Sequence, residues 1–162
     1  VLDRDGHFLT SFGTVGSADG EFDYPHSCFC TQQDTIIVTD VFNHRVQIFT
    51  RFGQFLSKFG RLGSEDGQFE APSGVAMDTT GPHLRTFGTP DTLPNDLHRP
   101  HYSFLVVFTQ DGELIYSFGS QGDRAGQFHG PEGIAVANAG DVVVAECGGQ
   151  RIQLFSFADL IQ

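Results

Sequence analysis

Three acidic residues each follow an apolar segment directly, and carboxylates gathered at one rim can transfer protons. They are Asp40, Asp78 and Glu146. Residues in such positions more often accept hydrogen bonds from turn amides or pair with a nearby arginine, and Arg45 and Arg151 follow two of them in sequence. The sequence also contains no nucleophile elbow and no glycine-rich phosphate loop. We therefore expect structural carboxylates and no catalytic residue.

Histidine and cysteine, the other common metal ligands, are present at spacings that do not favour a metal site. His83, His98 and His101 are separated by 15 and then 3 positions, which places them in one segment without a fixed scaffold. Cys28 and Cys30 form a C-x-C pair with no second pair to complete a zinc site. We therefore expect no metal and no cofactor. Three cysteines, an odd number, exclude a complete disulfide framework and favour a reducing, cytoplasmic location.

The composition narrows the class of partner. The chain has 162 residues, with 9 Lys+Arg against 20 Asp+Glu and a formal net charge of −11. This charge disfavours binding to a phosphate backbone and favours basic partners. No apolar run approaches the roughly 20 residues that a membrane span requires. The chain begins at Val1 rather than at Met and resembles no targeting peptide, so we expect a piece of a longer protein.

A motif marked by glycine and phenylalanine occurs three times and reveals an internal repeat. It reads Gly-Ser-x-x-Gly-x-Phe over 16–22 and 63–69, and it is looser over 122–128. Each copy follows a Phe-Gly pair and precedes a proline. The prolines are Pro25, Pro72 and Pro131, which are 47 and then 59 positions apart, so the middle repeat carries 12 extra residues.

Each repeat predicts four short antiparallel strands. Residues 36–39 and 142–145 are β-branched runs between turn residues. Residues 45–49 alternate at period two, and 55–59 form the last segment. Four strands about every 45 residues are typical of a β-propeller blade. We predict one all-β domain, a partial propeller of about three blades. Its units are about 1–24 (partial), 25–71, 72–130 and 131–162 (partial).

The repeated glycines and phenylalanines have predicted structural roles. The glycines are expected in left-handed turns that lead from the outer strand of one blade to the inner strand of the next. These glycines are Gly20, Gly67 and Gly126. The phenylalanines that follow are expected to pack between adjacent blades, because a single blade cannot bury both of its faces. These phenylalanines are Phe22, Phe69 and Phe128.

The stretch 79–103 in the middle repeat departs from the pattern. It contains four prolines, which exclude a central strand, and its residues 84–88 resemble a displaced copy of the strand that ends at Phe59. Two interpretations remain open: a long surface loop with a binding role, or a damaged repeat. Both predict an irregular segment of low order that proteases cut under native conditions.

The first repeat resembles the NHL repeat family. The resemblance is carried by Thr39-Asp40, by the run from Asn43 to Phe49, and by the Phe-Leu and Phe-Gly pairs at 55–56 and 59–60. The density of these motifs is similar to that of the C-terminal propellers of tripartite-motif ubiquitin ligases. The resemblance implies structural roles for Asp40, Asn43, His44 and Arg45. It also implies five or six blades, so this chain is expected to be a fragment, an open arc, or one part of a ring completed by other copies.

The resemblance implies a recognition function. We expect a non-catalytic module that binds a protein substrate within a ubiquitin-ligase parent, with no membrane contact and with possible self-association to complete a ring. The alternative is an RNA-binding propeller in post-transcriptional regulation. The candidate binding residues are Arg45, Arg51, Arg61, Arg85 and Arg99.

Overall fold

The computed structural model contains thirteen strands within the part of the chain that it describes. It describes residues 1–2, 5–31, 33–63, 68–77, 83–88, 104–109, 114–137 and 141–156, of which 77, 83–88, 104–109 and 114–117 are described by backbone alone. The strands are β1 (Thr14–Val15), β2 (Glu21–Phe22), β3 (Pro25–Cys30), β4 (Thr35–Asp40), β5 (Arg45–Thr50), β6 (Phe55–Phe59), β7 (Val75–Met77), β8 (His83–Gly88), β9 (Phe104–Thr109), β10 (Leu114–Phe118), β11 (Pro131–Val136), β12 (Val142–Glu146) and β13 (Arg151–Phe155).

The strands form three antiparallel sheets in which spatial order follows chain order. The first sheet is β3-β4-β5-β6, the second is β7-β8-β9-β10, and the third is β11-β12-β13. A short parallel pair, β1-β2, precedes the first sheet. The predicted all-β architecture of antiparallel meanders is confirmed.

The sheets are arranged around a common centre. β7 contacts both β3 and β11, so the first strands of the three sheets lie side by side. β3 alternates between exposed and half-buried residues, whereas β4 is buried at all but its first residue. Because β4 has sheet neighbours on both edges and packing partners on both faces, its β-branched run suits this position.

Phenylalanines fill the spaces beside the sheets. Phe69 is 1% exposed and packs with Val46 and Ile48 of the first sheet and Val75 of the second. Burying a side chain of this size contributes about 1.5–3 kcal/mol. The equivalent phenylalanines also pack against sheets: the ring of Phe22 lies 5.5 Å from that of Phe49 in the first sheet, and the ring of Phe128 lies 5.6 Å from that of Phe155 in the third.

The expectation that residues 79–103 contain no central strand is wrong for part of the segment. β8 occupies His83–Gly88 and pairs with β7 on one side and with β9 along its full length on the other. It is the second strand of its sheet, not a displaced copy of a fourth strand. The prolines at 82 and 90 flank this six-residue run, so they do not remove a ladder hydrogen bond from within it. The rest of 79–103 lies outside the described residues.

Two of the predicted glycine turns are described. Gly20 has φ +83° and Gly126 has φ +77°, a left-handed conformation that glycine adopts without steric cost. Gly67 lies outside the described residues. Near the start of the chain, Leu2 forms an antiparallel bridge with Phe8, which has the spacing of the Phe49–Phe55 pair between β5 and β6.

Candidate functional site

The connections of the first sheet divide between two ends. Because neighbouring strands run in opposite directions, the turn 41–44 and the residues 60–63 and 68–74 lie at one end, and the residues 31, 33–34 and 51–54 lie at the other. We call these the loop end and the turn end. The loop end is the one to which the repeated glycine and phenylalanine motif belongs.

A buried ion pair lies at the loop end of the first sheet. The Arg45 Nε donates to the Asp40 carboxylate at 2.7 Å, and the two side chains are 6% and 0% exposed. The rest of the guanidinium donates to three carbonyl oxygens of the preceding loop, those of Ser17, Ala18 and Glu21, at 2.8–2.9 Å. Arg45 therefore holds the loop to the end of the sheet, and the ion pair is fully hydrogen-bonded, as a buried pair requires.

Two amide side chains complete this arrangement. Gln47 donates to the Glu21 carbonyl at 2.7 Å and accepts from the Gly20 N–H at 3.0 Å. Asn43 donates to the Gly16 carbonyl at 2.9 Å and to Asp40 at 3.0 Å. We call the four residues that hold the loop the clamp: Asp40, Asn43, Arg45 and Gln47.

The third sheet repeats three of the four clamp positions 106 residues later, as Glu146, Arg151 and Gln153, with Gly149 in place of Asn43. Arg151 donates to Glu146 at 2.9 Å and to the Gln127 carbonyl at 2.7 Å. Gln153 donates to the same carbonyl at 2.7 Å and accepts from the Gly126 N–H at 3.1 Å. The sequence analysis missed the two glutamines, although the repeated Arg-x-Gln spacing marked them. Asp78, the third candidate carboxylate, lies outside the described residues.

The environment of Glu146 suits a structural carboxylate. Burial raises the pKa of Glu146, but hydrogen bonds from Arg151, from the His129 N–H and from Gln153 outweigh burial and hold the pKa below its ordinary value. A carboxylate held ionised by fixed donors accepts hydrogen bonds well and is a poor proton donor near neutral pH.

His44, which the NHL resemblance assigned to the repeat motif, connects the turn to the next loop. Its Nδ1 accepts a hydrogen bond from the Ala71 N–H at 3.1 Å. Burial lowers the pKa of His44, and Glu70 opposes this shift. The His44 ring must be neutral for Nδ1 to accept this hydrogen bond, and the lowered pKa favours the neutral form.

The described arginines among the binding candidates do not form one patch. Arg45 is buried within the clamp. Arg51 lies at the turn end, where it pairs with Asp34 at 2.8 Å, whereas Arg61 is exposed at the loop end. Arg85 lies on β8 with its side chain outside the described residues, and Arg99 lies outside them entirely.

The thiols and the candidate metal ligands are dispersed. All three cysteines are free and exposed. Partial burial, then Cys28 and Asp34, raise the pKa of Cys30, so its thiol is protonated at neutral pH. Within the described ranges, no three His, Cys, Asp or Glu residues lie close enough to hold a metal ion. The side chains of the histidines at 83, 98 and 101 are not among those described.

Two aromatic residues project from the loop end of the first sheet, and the sequence analysis missed them. The rings of Tyr24 and Phe42 stack at 5.1 Å with an angle of 27°, and each residue is 58% exposed. Tyr24 has φ +61°, and its carbonyl accepts from the Val41 N–H at 3.3 Å. The Phe42 N–H donates to the Asp23 carbonyl at 3.1 Å, so backbone hydrogen bonds hold together the two loops that carry the rings. We call Tyr24 and Phe42 the aromatic pair.

The third sheet has glycines at the equivalent positions. A Cβ added to Gly130 would lie 3.1 Å from the Gly148 backbone nitrogen, so these two loops approach each other closely and expose backbone. The same clamp therefore supports different surfaces on different sheets. The signal for this difference was available in sequence, because glycines at 130 and 148 stand at the positions that Tyr24 and Phe42 occupy in the first repeat.

Three meanders around a centre, each connected through a loop that packs a phenylalanine between sheets, define a repeat β-propeller. Residues 128–155 match the sequence pattern of the NHL repeat. The chain is thus an NHL-repeat β-propeller segment, and it resembles the C-terminal domains of tripartite-motif NHL proteins. Propellers of this class are protein-interaction modules. No helix among the described residues is long and apolar enough to cross a membrane.

Similar proteins support this assignment. The chain is 32% identical over 144 residues to Protein brain tumor of Drosophila melanogaster, covering 89% of this chain and 12% of that protein. It is 30% identical over 159 residues to the E3 ubiquitin-protein ligase TRIM32 of Homo sapiens, covering 92% of this chain and 22% of that protein. The chain therefore spans less than a quarter of either relative.

A solved structure supports the fold. The crystal structure of the RRP9 WD40 repeats superposes with a TM-score of 0.60 at 12% identity, covering 83% of this chain and 36% of that one.

Proposed function

We propose that this chain recognises a protein partner through its loop end, with the aromatic pair as the anchor of the contact. The observation that carries the proposal is a pair of stacked rings, each 58% exposed, on loops whose backbone is fixed by hydrogen bonds. Exposed aromatic side chains are the residues that most often dominate protein interfaces. Because the loops are already ordered, little conformational entropy is lost on binding.

The charged groups of the clamp are not part of the proposed recognition surface. The guanidinium of Arg45 and the carboxylate of Asp40 are buried in contact with each other, whereas the rings of Tyr24 and Phe42 are exposed. A partner that contributes a basic side chain would complement both the aromatic faces and the net charge of −11.

The likeness to a ubiquitin ligase supports a role in substrate selection. One relative is named an E3 ubiquitin-protein ligase, and this chain matches 22% of its length. In the proposed role this chain holds the substrate while a separate part of a parent protein performs ubiquitin transfer. The three free thiols support a reducing location, which we propose is the cytoplasm.

The experiment compares capture of proteins by the wild-type chain and by the double variant Tyr24→Gly/Phe42→Gly, read by quantitative mass spectrometry. The variant reproduces the glycines of the third sheet and suits the positive φ of Tyr24. We expect at least about tenfold loss of specific partners, because truncation of anchor residues costs 2 kcal/mol or more. The matched control is Phe52→Ser, which removes an aromatic residue 71% exposed at the turn end and should retain them.

Two results would contradict the proposal. One is equal capture by the wild-type chain and the double variant. The other is capture that ribonuclease abolishes, together with filter retention of RNA that weakens steeply as salt is raised. That salt dependence is expected of contacts with the phosphate backbone and would favour the RNA-binding alternative.

A further inference from the structure

The chain carries its positive charge almost entirely on arginine. Of its 9 basic residues, Lys58 is the single lysine, and the others are arginine. Lysine is one of the commonest residues of globular domains, and it lies mostly at exposed positions. Because arginine supplies the same charge, the net charge of −11 does not account for the scarcity of lysine. The sequence therefore avoids the side-chain amine and not the positive charge.

The clamp accounts for arginine at two positions. Arg45 and Arg151 each donate several guanidinium N–H groups to a carboxylate and to loop carbonyls, a planar geometry that an ammonium group does not provide. Arg61 and Arg124, by contrast, are exposed, and a lysine at such positions supplies the same charge. The two side chains differ there in reactivity, because the amine of lysine is a target of acylation and of ubiquitin, whereas a guanidinium is not.

The single lysine lies near the loop end of the first sheet and is engaged by a carboxylate. Lys58 belongs to β6, the outer strand of this sheet, and its side chain is 45% exposed. Its Nζ donates to the Asp19 carboxylate at 2.5 Å, and the Asp19 side chain is 50% exposed. Asp19 lies in the loop that Arg45 and Gln47 hold through the carbonyls of neighbouring residues. The clamp therefore positions the loop whose carboxylate binds the amine.

The ion pair with Asp19 restrains the chemistry of this amine. In ubiquitin transfer, a neutral ε-amino nitrogen attacks the thioester carbonyl at the ubiquitin C-terminus. The C–N isopeptide bond forms, the C–S bond breaks, the nitrogen loses a proton, and the departing sulfur leaves as a thiol after gaining one. An ammonium group that donates to Asp19 has no lone pair, so Lys58 must leave the carboxylate and lose a proton before it can attack. The pair thus lowers the fraction of Lys58 that is ready to react.

We propose, building on the proposed role in substrate selection, that Lys58 is the single side-chain ubiquitin acceptor of this chain and that Asp19 restrains it. A module that holds a substrate close to a ubiquitin thioester is itself held close to that thioester. Each exposed lysine on the module would compete with the substrate at the high effective concentration that a shared scaffold creates. Arginine in place of lysine removes this competition and keeps the charge, so that transfer is directed to the bound substrate.

Reconstituted ubiquitin transfer to the purified chain tests the acceptor and its restraint. The probe is ubiquitin carried as a thioester on a conjugating enzyme that discharges to lysine. Intact mass gives the conjugated fraction, and the tryptic peptide 52–61 carries the diglycine remnant at Lys58. We expect conjugation of the wild-type chain at Lys58 and none with Lys58→Arg. Asp19→Asn should raise the initial rate about two- to fivefold, the range that an exposed ion pair allows.

Two further sets of variants serve as matched controls. Asp34→Asn breaks the exposed pair with Arg51 at the turn end, removes the same charge as Asp19→Asn, and should leave the rate of conjugation unchanged. Arg61→Lys and Arg124→Lys, each made in the Lys58→Arg chain, return one amine to an exposed position at the same net charge. Each should restore conjugation, at the returned lysine. Circular dichroism of every variant confirms that it folds.

Four results would overturn this proposal. They are a wild-type chain that is not conjugated at Lys58, conjugation that persists in Lys58→Arg, equal rates for the wild-type chain and Asp19→Asn, and no conjugation of the chains with a returned lysine. The outcome is separate from that of the partner experiment. Lys58→Arg should capture the same partners as the wild-type chain, and Tyr24→Gly/Phe42→Gly should be conjugated at Lys58 at the wild-type rate.

Discussion

The first and third sheets both hold their loops with a carboxylate, an arginine and a glutamine, but they differ in what they leave exposed. In the first sheet, the ion pair between Asp40 and Arg45 is almost fully buried, and its loops carry stacked aromatic rings. In the third, Arg151 is 26% exposed, and glycines replace the rings. The comparison teaches that the clamp fixes the backbone of the loop end, while the loop residues that it does not use are free to differ between repeats.

The largest expected difference between the sheets concerns loss of the clamp carboxylate. Asp40→Asn leaves the buried Arg45 charge without its partner and should reduce the free energy of unfolding by about 3–5 kcal/mol. Glu146→Gln should cost less, about 1–2 kcal/mol, because water reaches part of Arg151. Urea denaturation measures both. Lys58→Met, which breaks an exposed pair with Asp19, serves as the control and should change stability by less than about 0.5 kcal/mol. Equal losses for Asp40 and Glu146 would mean that burial does not set the strength of the clamp.

A second test concerns how the longer carboxylate of the third sheet is accommodated. A Cβ added to Gly149 would lie 2.8 Å from the Glu146 carboxylate, so the glutamate occupies the space that Asn43 uses in the first sheet. Gly149→Asn should therefore cost about 1–2 kcal/mol. Adding Glu146→Asp should recover about 1 kcal/mol of that loss, because the shorter side chain makes room for the amide. A thermodynamic cycle of the two single variants and the double variant, measured in urea, gives the coupling. If the stability changes of the two single variants simply add in the double variant, residues 146 and 149 do not interact and this explanation is wrong.

The smallest expected effect is on pH dependence. The lowered pKa of His44 means that the folded state binds its proton more weakly than the unfolded state does. Stability should therefore fall as the pH is lowered through about 6.5, the ordinary histidine pKa, towards the folded-state value. His44→Gln reproduces Gln150 of the third sheet, which has a similar φ of +49°, and should remove this part of the pH dependence at a cost of about 1 kcal/mol or less at pH 8. Urea midpoints at pH 8.0 and 5.5 measure it, above the range in which Glu146 titrates. If the urea midpoints of the wild-type chain and the variant change with pH by the same amount, groups other than His44 cause the pH dependence of stability.

The amino-acid sequence by itself determined the repeat, the strand pattern and the class of propeller. These follow from local chemistry: β-branched runs form strands, glycine permits the left-handed turns at Gly20 and Gly126, and the recurring phenylalanines mark the packing faces. The resemblance carried by Asn43, His44 and Arg45 identified the NHL repeat for the same reason, because the motif is contiguous.

Only the tertiary structure decided how distant residues are used. Arg45 and Arg51 were both binding candidates in the sequence. The fold buries Arg45 in the clamp and leaves Arg51 at the turn end beside Asp34. The rings of Tyr24 and Phe42, 18 positions apart, meet because two loops converge at the same end of a sheet. β8 forms between prolines because β7 and β9 offer it two edges at once, which local propensity does not report. Contacts between segments far apart in the chain decide which side chains are buried in the fold and which stay exposed for a partner.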